Sequence, residues 1–415
     1  MFSTAKNLIL QPKVAFLSHY GGLYGANLSL LALINGICQY GWYCFVVAPH
    51  EGEFIDALAD QNIEAVISPF ELSSHALGFD NFWCIQSRRS YSTGWFYRAA
   101  RVAYRNYKRR KSLTALLASR GVNLVHSNSS WISIGAYASR QLGIPHVWHL
   151  REFGVADYAC YPDFGLTYQK KSIRAAGMSI CISAAIRDHY FEASCNPKNF
   201  KIIYNGVEKK TIIEKRLFEY ISAGHSRDQA VFTFASIGLL HECKGHEIVI
   251  EAFARLLKNQ FQSRLLIAGD GPFENELRKL VSNLGLNNSV RFLGKVVDMK
   301  SVYGIADAVV VASKAEAMGR VTVESMAYGL PVIGRNSGAT PELVRDGVTG
   351  LIFDGTADDL SKKMTLLIQS PILLREMGVA SLKDALEKYS IEKYIESTCD
   401  LFIEQISSLQ TQASS

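Results

Sequence analysis

Short apolar runs rich in β-branched residues recur along the first half of the chain, at Val14 to Leu17, Cys44 to Val47, Leu124 to His126, Val147 to His149, Ile180 to Ile182 and Ile202 to Tyr204. Stretches of helix length separate most of them. The alternation restarts at Val231 to Ile237 and continues through Leu265 to Ala268, Val290 to Leu293, Ala308 to Ala312 and Pro331 to Ile333. Strands that are apolar throughout, alternating with helices, predict parallel sheets covered on both faces. The expected fold is therefore α/β: two Rossmann-like, doubly wound parallel-sheet domains facing across a cleft. Ligands of such open sheets sit beyond the carboxyl ends of the strands, so chemistry is sought in the loops there.

The stretch Glu208 to Gln229 is polar and charged, carries Gly224 and shows no strand pattern, which places the linker there. The N-terminal domain is expected over residues 1–215 and the C-terminal one over 216–385. A helical pattern runs from Leu382 to Ser408, long for the edge of one compact domain. A helix over about 386–410 is expected to pack back on the first domain.

Length supports this doubling, because 415 residues exceed the size to which a single core grows. With 48% hydrophobic and 20% charged residues, the chain is of the globular class. No apolar run approaches the roughly 18 residues that span a bilayer. The N-terminal residues MFSTAKNLILQPK hold only the brief patch Leu8 to Leu10, too short for a secretory signal, so cytoplasmic residence is expected. Eight cysteines lie singly, without CxxC or paired Cys/His spacing, and read as buried thiols rather than zinc ligands or disulfides.

The densest candidate chemistry follows the run Ala308 to Ala312. There Glu316 and Glu324, eight residues apart, bracket Gly319 and the start of a helix. A helix beginning near Gly319 would aim its free N–H groups and positive dipole end at whatever lies above the strand, which suits a diphosphate. Read alone, the two acids are equally compatible with solvated flanks of a helix. Gly238-Leu-Leu-His-Glu-Cys-Lys244-Gly245-His246 follows the first run of the second series, and a lysine there suits growing negative charge. Ala268-Gly269-Asp-Gly271-Pro272 has two glycines of a tight turn, but Glu274 replaces the third glycine of a dinucleotide fingerprint, which disfavours a nicotinamide enzyme. In the first half, Gly21 and Gly22 follow the opening run, His149 ends Pro145-His-Val-Trp-His149, and His126 and Asn128 end an earlier one.

These motifs together resemble the retaining glycosyltransferases of family 4, which have the two-domain GT-B architecture. The likeness is close from Ser313 to Gly350, including Gly329-Leu-Pro-Val-Ile-Gly334 and Ser337-Gly-Ala-Thr-Pro-Glu-Leu-Val. It implies that Glu316 contacts hydroxyls of the donor sugar and that Glu324 accepts hydrogen bonds from the ribose. Backbone N–H groups of Met318, Gly319 and Arg320 would face sugar and phosphates, and Lys244 would neutralise the leaving diphosphate. Gly238 belongs to the phosphate loop, while Gly269, Gly271 and Gly294 belong to the pocket for base and ribose. Gly21 and Gly22 would lie against the donor phosphates, and His149 would reach the donor sugar. His126 and Asn128 are candidates for acceptor contact. Leu239 stands where the family places an arginine, and Arg320 is expected to take over its role.

The implied reaction moves a sugar from a nucleoside diphosphate sugar to a hydroxyl of a glycan or lipid-linked acceptor with retention of configuration, in assembly of bacterial surface polysaccharide such as lipopolysaccharide, O-antigen or capsule. Glu316, His149, Lys244 and Arg320 are the catalytic candidates. No cofactor is expected beyond the sugar nucleotide, and no metal, since there is no Asp-x-Asp motif and protein cations are at hand. Two alternatives stay open: an epimerase or hydrolase of the same fold, and a catalytically silent sugar-nucleotide binder made possible by Leu239.

Charge distribution adds a partner. Between Phe82 and Lys111 lie nine basic residues, no acidic one and six interleaved tyrosines, tryptophans and phenylalanines besides Phe82 and Tyr91. Arg98, Arg101, Arg105 and Lys108 fall at spacings that stack them on one helix face. A basic amphipathic helix of this kind predicts contact with an anionic membrane surface, on the inner face of the cytoplasmic membrane, rather than with nucleic acid.

Overall fold

The computed structural model describes residues 11–70, 72, 74–75, 94–158, 161–162, 164–192, 195, 197–222 and 231–414. Two compact units emerge: one runs to Tyr204 and resumes at Tyr394, and the other is Asn205–Lys393.

In the first unit the strands of the large sheet are β1 (Lys13–Leu17), β2 (Tyr43–Ala48), β3 (Glu64–Ile67), β4 (Leu124–Ser127), β5 (His146–Leu150), β6 (Met178–Cys181) and β7 (Phe200–Ile202), and Ser74–His75 pairs antiparallel with Tyr161–Pro162 apart from it. They form one sheet in the order β3-β2-β1-β4-β5-β6-β7, with every pair parallel. In the central β1, Val14 faces Cys44 on one side and Leu124 on the other. All residues of β4 and β5 are buried, which requires helices on both faces. Strand β3 has no clear apolar run because it lies at the edge, with an exposed Glu64 and half-buried remaining residues.

The second unit holds β8 (Phe232–Ile237), β9 (Ser263–Ala268), β10 (Val290–Gly294), β11 (Ala308–Val311), β12 (Val332–Arg335) and β13 (Gly350–Phe353). Their order is β10-β9-β8-β11-β12-β13, again parallel throughout. The core gathers Phe234, Leu265, Ile267 and Val310 from the strands with Val249, Phe253 and Leu256 from helix His246–Leu257. In both sheets the strand order reverses beside the first strand, between β1 and β4 and between β8 and β11. Loops leaving those neighbouring strands therefore diverge and leave a crevice at each switch point.

Two expectations are corrected. Within the stretch read as the linker, Lys210–Ser222 is a helix of the second unit, and residues 223–230 lie outside the described residues. Ile213 is fully buried, and the Arg216 guanidinium stacks 3.6 Å over the Tyr328 ring while donating to the Ala327 carbonyl at 3.0 Å. Gly378 makes room for this helix, since a Cβ there would lie 2.2 Å from the Tyr220 hydroxyl. The C-terminal pattern is not one helix but two, Pro371–Lys388 and Ile391–Ser414. Between them Val207 N donates to Tyr389 O and Ile391 N to Glu208 O, so the chain pauses to pair with the segment after Asn205. Gly206 permits that pairing because a side chain there would strike the Ile391 main chain at 2.5 Å. From Tyr394 onward the last helix belongs to the first unit, where the Phe402 ring lies 6.2 Å from Phe16 and 5.7 Å from His126. In the same unit Gly36 makes room for Ile395, whose Cδ1 would lie 1.9 Å from an added Cβ.

Candidate functional site

Two loops flank the switch point of the second sheet, one after β8 and one after β11, and they bring Lys244 to Glu316 across 72 residues of sequence. Lys244 Nζ donates to Glu316 Oε1 at 2.6 Å, and Ser313 Oγ donates to the same oxygen at 2.6 Å. The loops are tied through the backbone as well, by Lys314 N to Cys243 O at 2.8 Å. Gly245, at φ 68°, lies so close to Ala312 O that a Cβ would approach within 2.4 Å. A third loop, after β12, braces the pair: Ala339 N donates to Glu316 O at 2.8 Å, and Gly338 at φ 56° sits against the Glu316 main chain. That is the physical content of Ser337-Gly-Ala-Thr-Pro-Glu-Leu-Val.

Helix Arg320–Ala327 starts from Gly319, whose φ of 73° supplies the left-handed turn. The first N–H groups of any helix lack acceptors within it, so this end offers donors beside the Lys244–Glu316 pair. Arg320 Nη2 binds Glu324 Oε1 at 2.7 Å, and the Tyr303 hydroxyl donates to Glu324 Oε2 at 2.9 Å. Burial and the Glu324 carboxylate hold the Tyr303 phenol well above its ordinary range, so it stays a donor. The Met318 side chain is buried and its sulfur accepts from Asn205 N at 3.3 Å, leaving only the main chain of that residue to face a ligand.

The loop after β8 is pinned by His246. Its Nε2 lies 3.2 Å from Leu239 O, a carbonyl that only accepts, so Nε2 carries the proton and Nδ1 accepts from Ser236 Oγ at 2.8 Å. Burial lowers this imidazole to about 4, which keeps the arrangement neutral. Gly269 and Gly271 have a packing duty in addition to any ligand contact. A Cβ at Gly269 would stand 1.9 Å from Gly238 O, and one at Gly271 would stand 2.4 Å from Leu240 O. Gly238 and Gly294, by contrast, face open space at positive φ.

In the first unit, the carboxyl ends of β4 and β5, the residues directly after them and Tyr394 assemble a buried polar cluster. His126 Nε2 lies 3.0 Å from His149 Nδ1, and Arg151 Nη2 lies 3.3 Å from the same atom. Arg151 Nε donates to Asn128 Oδ1 at 2.6 Å and its Nη2 to the Tyr394 hydroxyl at 3.0 Å. Both imidazoles are fully buried, and burial with the Arg151 charge holds each well below 6.5. His126 and Asn128 thus have partners in His149 and Arg151. Glu152 accepts from Ser129 Oγ, Ser130 N and Ser130 Oγ at 2.6–2.8 Å. Gly21 serves a close approach, since a Cβ would lie 2.3 Å from Glu51 O, and Gly22 abuts the Tyr24 ring.

Arg151, Glu152, Ser313, Tyr303 and His246 were not singled out from the sequence. A signal exists for the first two, a charged pair directly after the largely apolar run His146 to Leu150. None exists for Tyr303, which comes from a separate helix, Lys300–Tyr303. Of the six described cysteines, Cys44, Cys181 and Cys399 are buried while Cys38, Cys195 and Cys243 are half-buried, correcting the uniform burial expected. All six are free thiols. Among the described residues no group of three or more His, Cys, Asp or Glu side chains is placed to hold a metal.

Helix Gly94–Arg120 carries the basic stretch. Arg101, Arg105 and Lys108 are exposed, as are Tyr104 and Tyr107, while Asn106, Leu113 and Leu117 face inward. Lys108 Nζ lies 4.7 Å from the Tyr104 ring centre. The Arg98 side chain and residues 76–93 lie outside what is described. No helix among the described residues is long and apolar enough to cross a membrane.

Family comparisons agree with this geometry. The profile "Glycosyltransferase Family 4" matches residues 24–210, and "Glycosyl transferases group 1" matches 219–384. The chain belongs to family 4 of the glycosyltransferases. This glycosyltransferase is 27% identical over 199 residues to N-acetyl-alpha-D-glucosaminyl L-malate synthase of Bacillus anthracis, a match spanning 48% of the chain and about half, 52%, of that protein. Alpha-monoglucosyldiacylglycerol synthase of Streptococcus pneumoniae is 25% identical over 325 residues, covering 74% of the chain and 71% of that enzyme. The crystal structure of Anabaena Alr3699/HepE in complex with UDP superimposes with a TM-score of 0.72 over 94% of the glycosyltransferase and 100% of that chain, at 20% identity. That likeness establishes the GT-B fold.

Proposed function

We propose that this glycosyltransferase takes a nucleoside diphosphate sugar as donor and passes the sugar, with retention, to a hydroxyl of a lipid-linked or oligosaccharide acceptor in surface-polysaccharide assembly. The observation that carries the donor reading is the Lys244–Glu316 pair beside the N-terminus of helix Arg320–Ala327, at the switch point of the second sheet. A diphosphate needs cations and N–H donors, and both are held there before it arrives.

Each cation of the site is balanced by a carboxylate. As Lys244 turns to the diphosphate it releases Glu316, an acceptor-only group suited to the hydroxyls of a sugar. Arg320 and Glu324 form the second such pair, and Glu324 keeps lone pairs for ribose hydroxyls beyond those used by Arg320 and Tyr303. The acceptor hydroxyl oxygen bonds to the anomeric carbon as the bond from that carbon to the diphosphate breaks, and the leaving phosphate oxygen takes the hydroxyl's proton, so no protein nucleophile is required. Lys244 with Arg320 stabilises the charge that appears on the diphosphate. Because protein cations do this work, turnover is expected to survive EDTA. In the first unit, His149 is read as the group that meets the sugar, with His126, Asn128 and Arg151 as its buried support.

Thermal shift against UDP-, GDP-, ADP- and TDP-sugars tests the donor, and incubation of the stabilising sugar with mixed glycolipid acceptors tests transfer. A sugar nucleotide that raises the melting temperature and gives an α-linked product from an α-linked donor is the expected result. Free sugar with no glycoside formed would indicate a hydrolase. Stabilisation without turnover would indicate a silent binder.

The relative named as a diacylglycerol glycolipid synthase and the exposed cations of helix Gly94–Arg120 both favour an acceptor presented at a membrane. Each exposed cation near an anionic surface contributes on the order of 1 kcal/mol. Co-sedimentation with liposomes should rise with their phosphatidylglycerol content, and binding indifferent to that content would sink the electrostatic reading.

A further inference from the structure

We infer that Arg151 and His126 lock His149 in the tautomer whose Nε2 carries the proton, making His149 a fixed hydrogen-bond donor and excluding it as a general base. The inference rests on the proposed site in the first unit for its purpose, but not for its geometry.

The geometry leaves one solution. His149 Nδ1 is approached by two nitrogens, Arg151 Nη2 at 3.3 Å and His126 Nε2 at 3.0 Å. A guanidinium has only donors and is never deprotonated in a protein, so it needs a lone pair on Nδ1. Nδ1 is therefore bare, and the hydrogen between the two rings belongs to His126 Nε2. Both rings are inaccessible to solvent, and burial together with the Arg151 charge keeps them neutral. A neutral His149 with a bare Nδ1 has its proton on Nε2.

The neighbours support the lock. Arg151 is held in place by Asn128 Oδ1 and the Tyr394 hydroxyl. The His126 ring is packed by Phe16 at 5.1 Å and Phe402 at 5.7 Å, and His149 by Tyr394 at 6.2 Å. His146 adds a further imidazole on the His126 side, itself lowered to about 3 by burial. Glu152, the acid next in sequence, is engaged by Ser129 and Ser130. Among the described residues, His149 Nε2 is buried and has no hydrogen-bond partner. A buried N–H is kept without a partner at a cost in stability, which a ligand oxygen would relieve. A sugar hydroxyl or ring oxygen is the acceptor that the proposed reaction supplies. His126 and Arg151 are thus positioning residues for His149.

Long-range ¹H–¹⁵N correlation spectra of the full chain labelled with ¹⁵N-histidine read tautomers directly, without any sugar nucleotide present. His149 is assigned by the signal lost in His149→Asn, or by the neighbour shift in His126→Gln if that variant does not fold. The expected result is one His149 state, with bare Nδ1 and protonated Nε2, unchanged between about pH 5.5 and 8.5. Protonated Nδ1, or a titration within that window, would overturn the lock. In Arg151→Met the reason for a bare Nδ1 weakens, and a mixture of tautomers is expected. In turnover, His126→Leu should lower kcat at least about tenfold with the donor KM unchanged, and His126→Gln, which keeps a donor in place of Nε2, should rescue it. No rescue with the tautomer intact would leave the lock standing and refute its purpose.

Discussion

Lys244 and Arg320 are each paired with a glutamate, and their variants separate two roles. Lys244→Ala removes the cation nearest the expected leaving group and should lower kcat by about a hundredfold or more, a loss typical of deleting one transition-state donor. Arg320→Ala should weaken donor affinity by about tenfold, the range for a hydrogen bond to a charged group. Unchanged affinity and turnover in Arg320→Ala, measured by calorimetry and product formation, would show that Arg320 does not replace the arginine absent at Leu239. Buried imidazoles set a second residue-scale property. Burial lowers His19 and His146 to about 3 and His246 to about 4 from 6.5. The unfolded chain therefore binds protons first, so stability is complete above about pH 6.5 and falls as pH drops toward those folded values. By pH 5 the loss is roughly 2 kcal/mol for each such ring. Asp157 runs the other way: burial raises it to about 7, so its contribution is present in acid and fades as pH rises through that value. Melting temperature should accordingly peak near neutrality, fall at pH 5, and rise above pH 7 in Asp157→Asn. A flat profile down to pH 5 would contradict the burial of these rings.

At the scale of elements, the loops after β8, β9, β11 and β12 form one braced assembly rather than independent turns. Gly269 occupies φ 139° with Gly238 O where a side chain would begin, so Gly269→Ala must both strain its own backbone and push the phosphate loop away. A loss of roughly 2–4 kcal/mol in stability is expected from the combination of positive-φ strain and displaced packing. Donor affinity should fall with it, measured by chemical unfolding and by thermal shift with the sugar nucleotide. Gly285, at φ 70° with nothing near it, makes the control, since alanine there meets strain but no clash. The basic helix is the other element with a separable role. Its exposed Arg101, Arg105 and Lys108 can be changed to glutamate while Leu113 and Leu117 keep their packing. That variant should lose binding to anionic vesicles, retain its melting temperature, and retain transfer to a soluble acceptor.

At the scale of the molecule, the C-terminal helix completes a unit that began almost 400 residues earlier. Tyr394, Ile395, Leu401 and Phe402 are all buried in the first unit, and Tyr394 also holds Arg151. Burying each such side chain contributes about 1.5–3 kcal/mol, so four of them rival the whole stability of a typical domain. Truncation after Lys393 should therefore unfold the first unit, seen as rapid proteolysis within residues 11–204. The second unit, whose core lies within Asn205–Lys393, should keep its protease resistance.

Much of this was legible because parallel sheets leave a strong trace. A strand buried on both faces is apolar at most positions, so β1, β4, β5, β8 and β11 announce themselves, and the glycines after β1 and β8 mark the switch points. Edge strand β3 and the short β13 left no such trace, being half-exposed or led by a glycine. Helix Lys210–Ser222 read as a linker because its charges outnumber its buried positions, and its docking depends on Gly378 and Tyr328, more than 100 residues away. By itself, then, the sequence determined the fold class and the family, and it singled out Lys244, Glu316, Arg320, Glu324 and His149 as candidates, since these readings depend on residue types at local spacing. Only the tertiary structure decided which charges meet: Lys244 with Glu316, Arg320 with Glu324 and Tyr303, and His149 with His126 and Arg151. Pairings across such distances depend on which strands lie adjacent, and no local pattern along the chain encodes that adjacency.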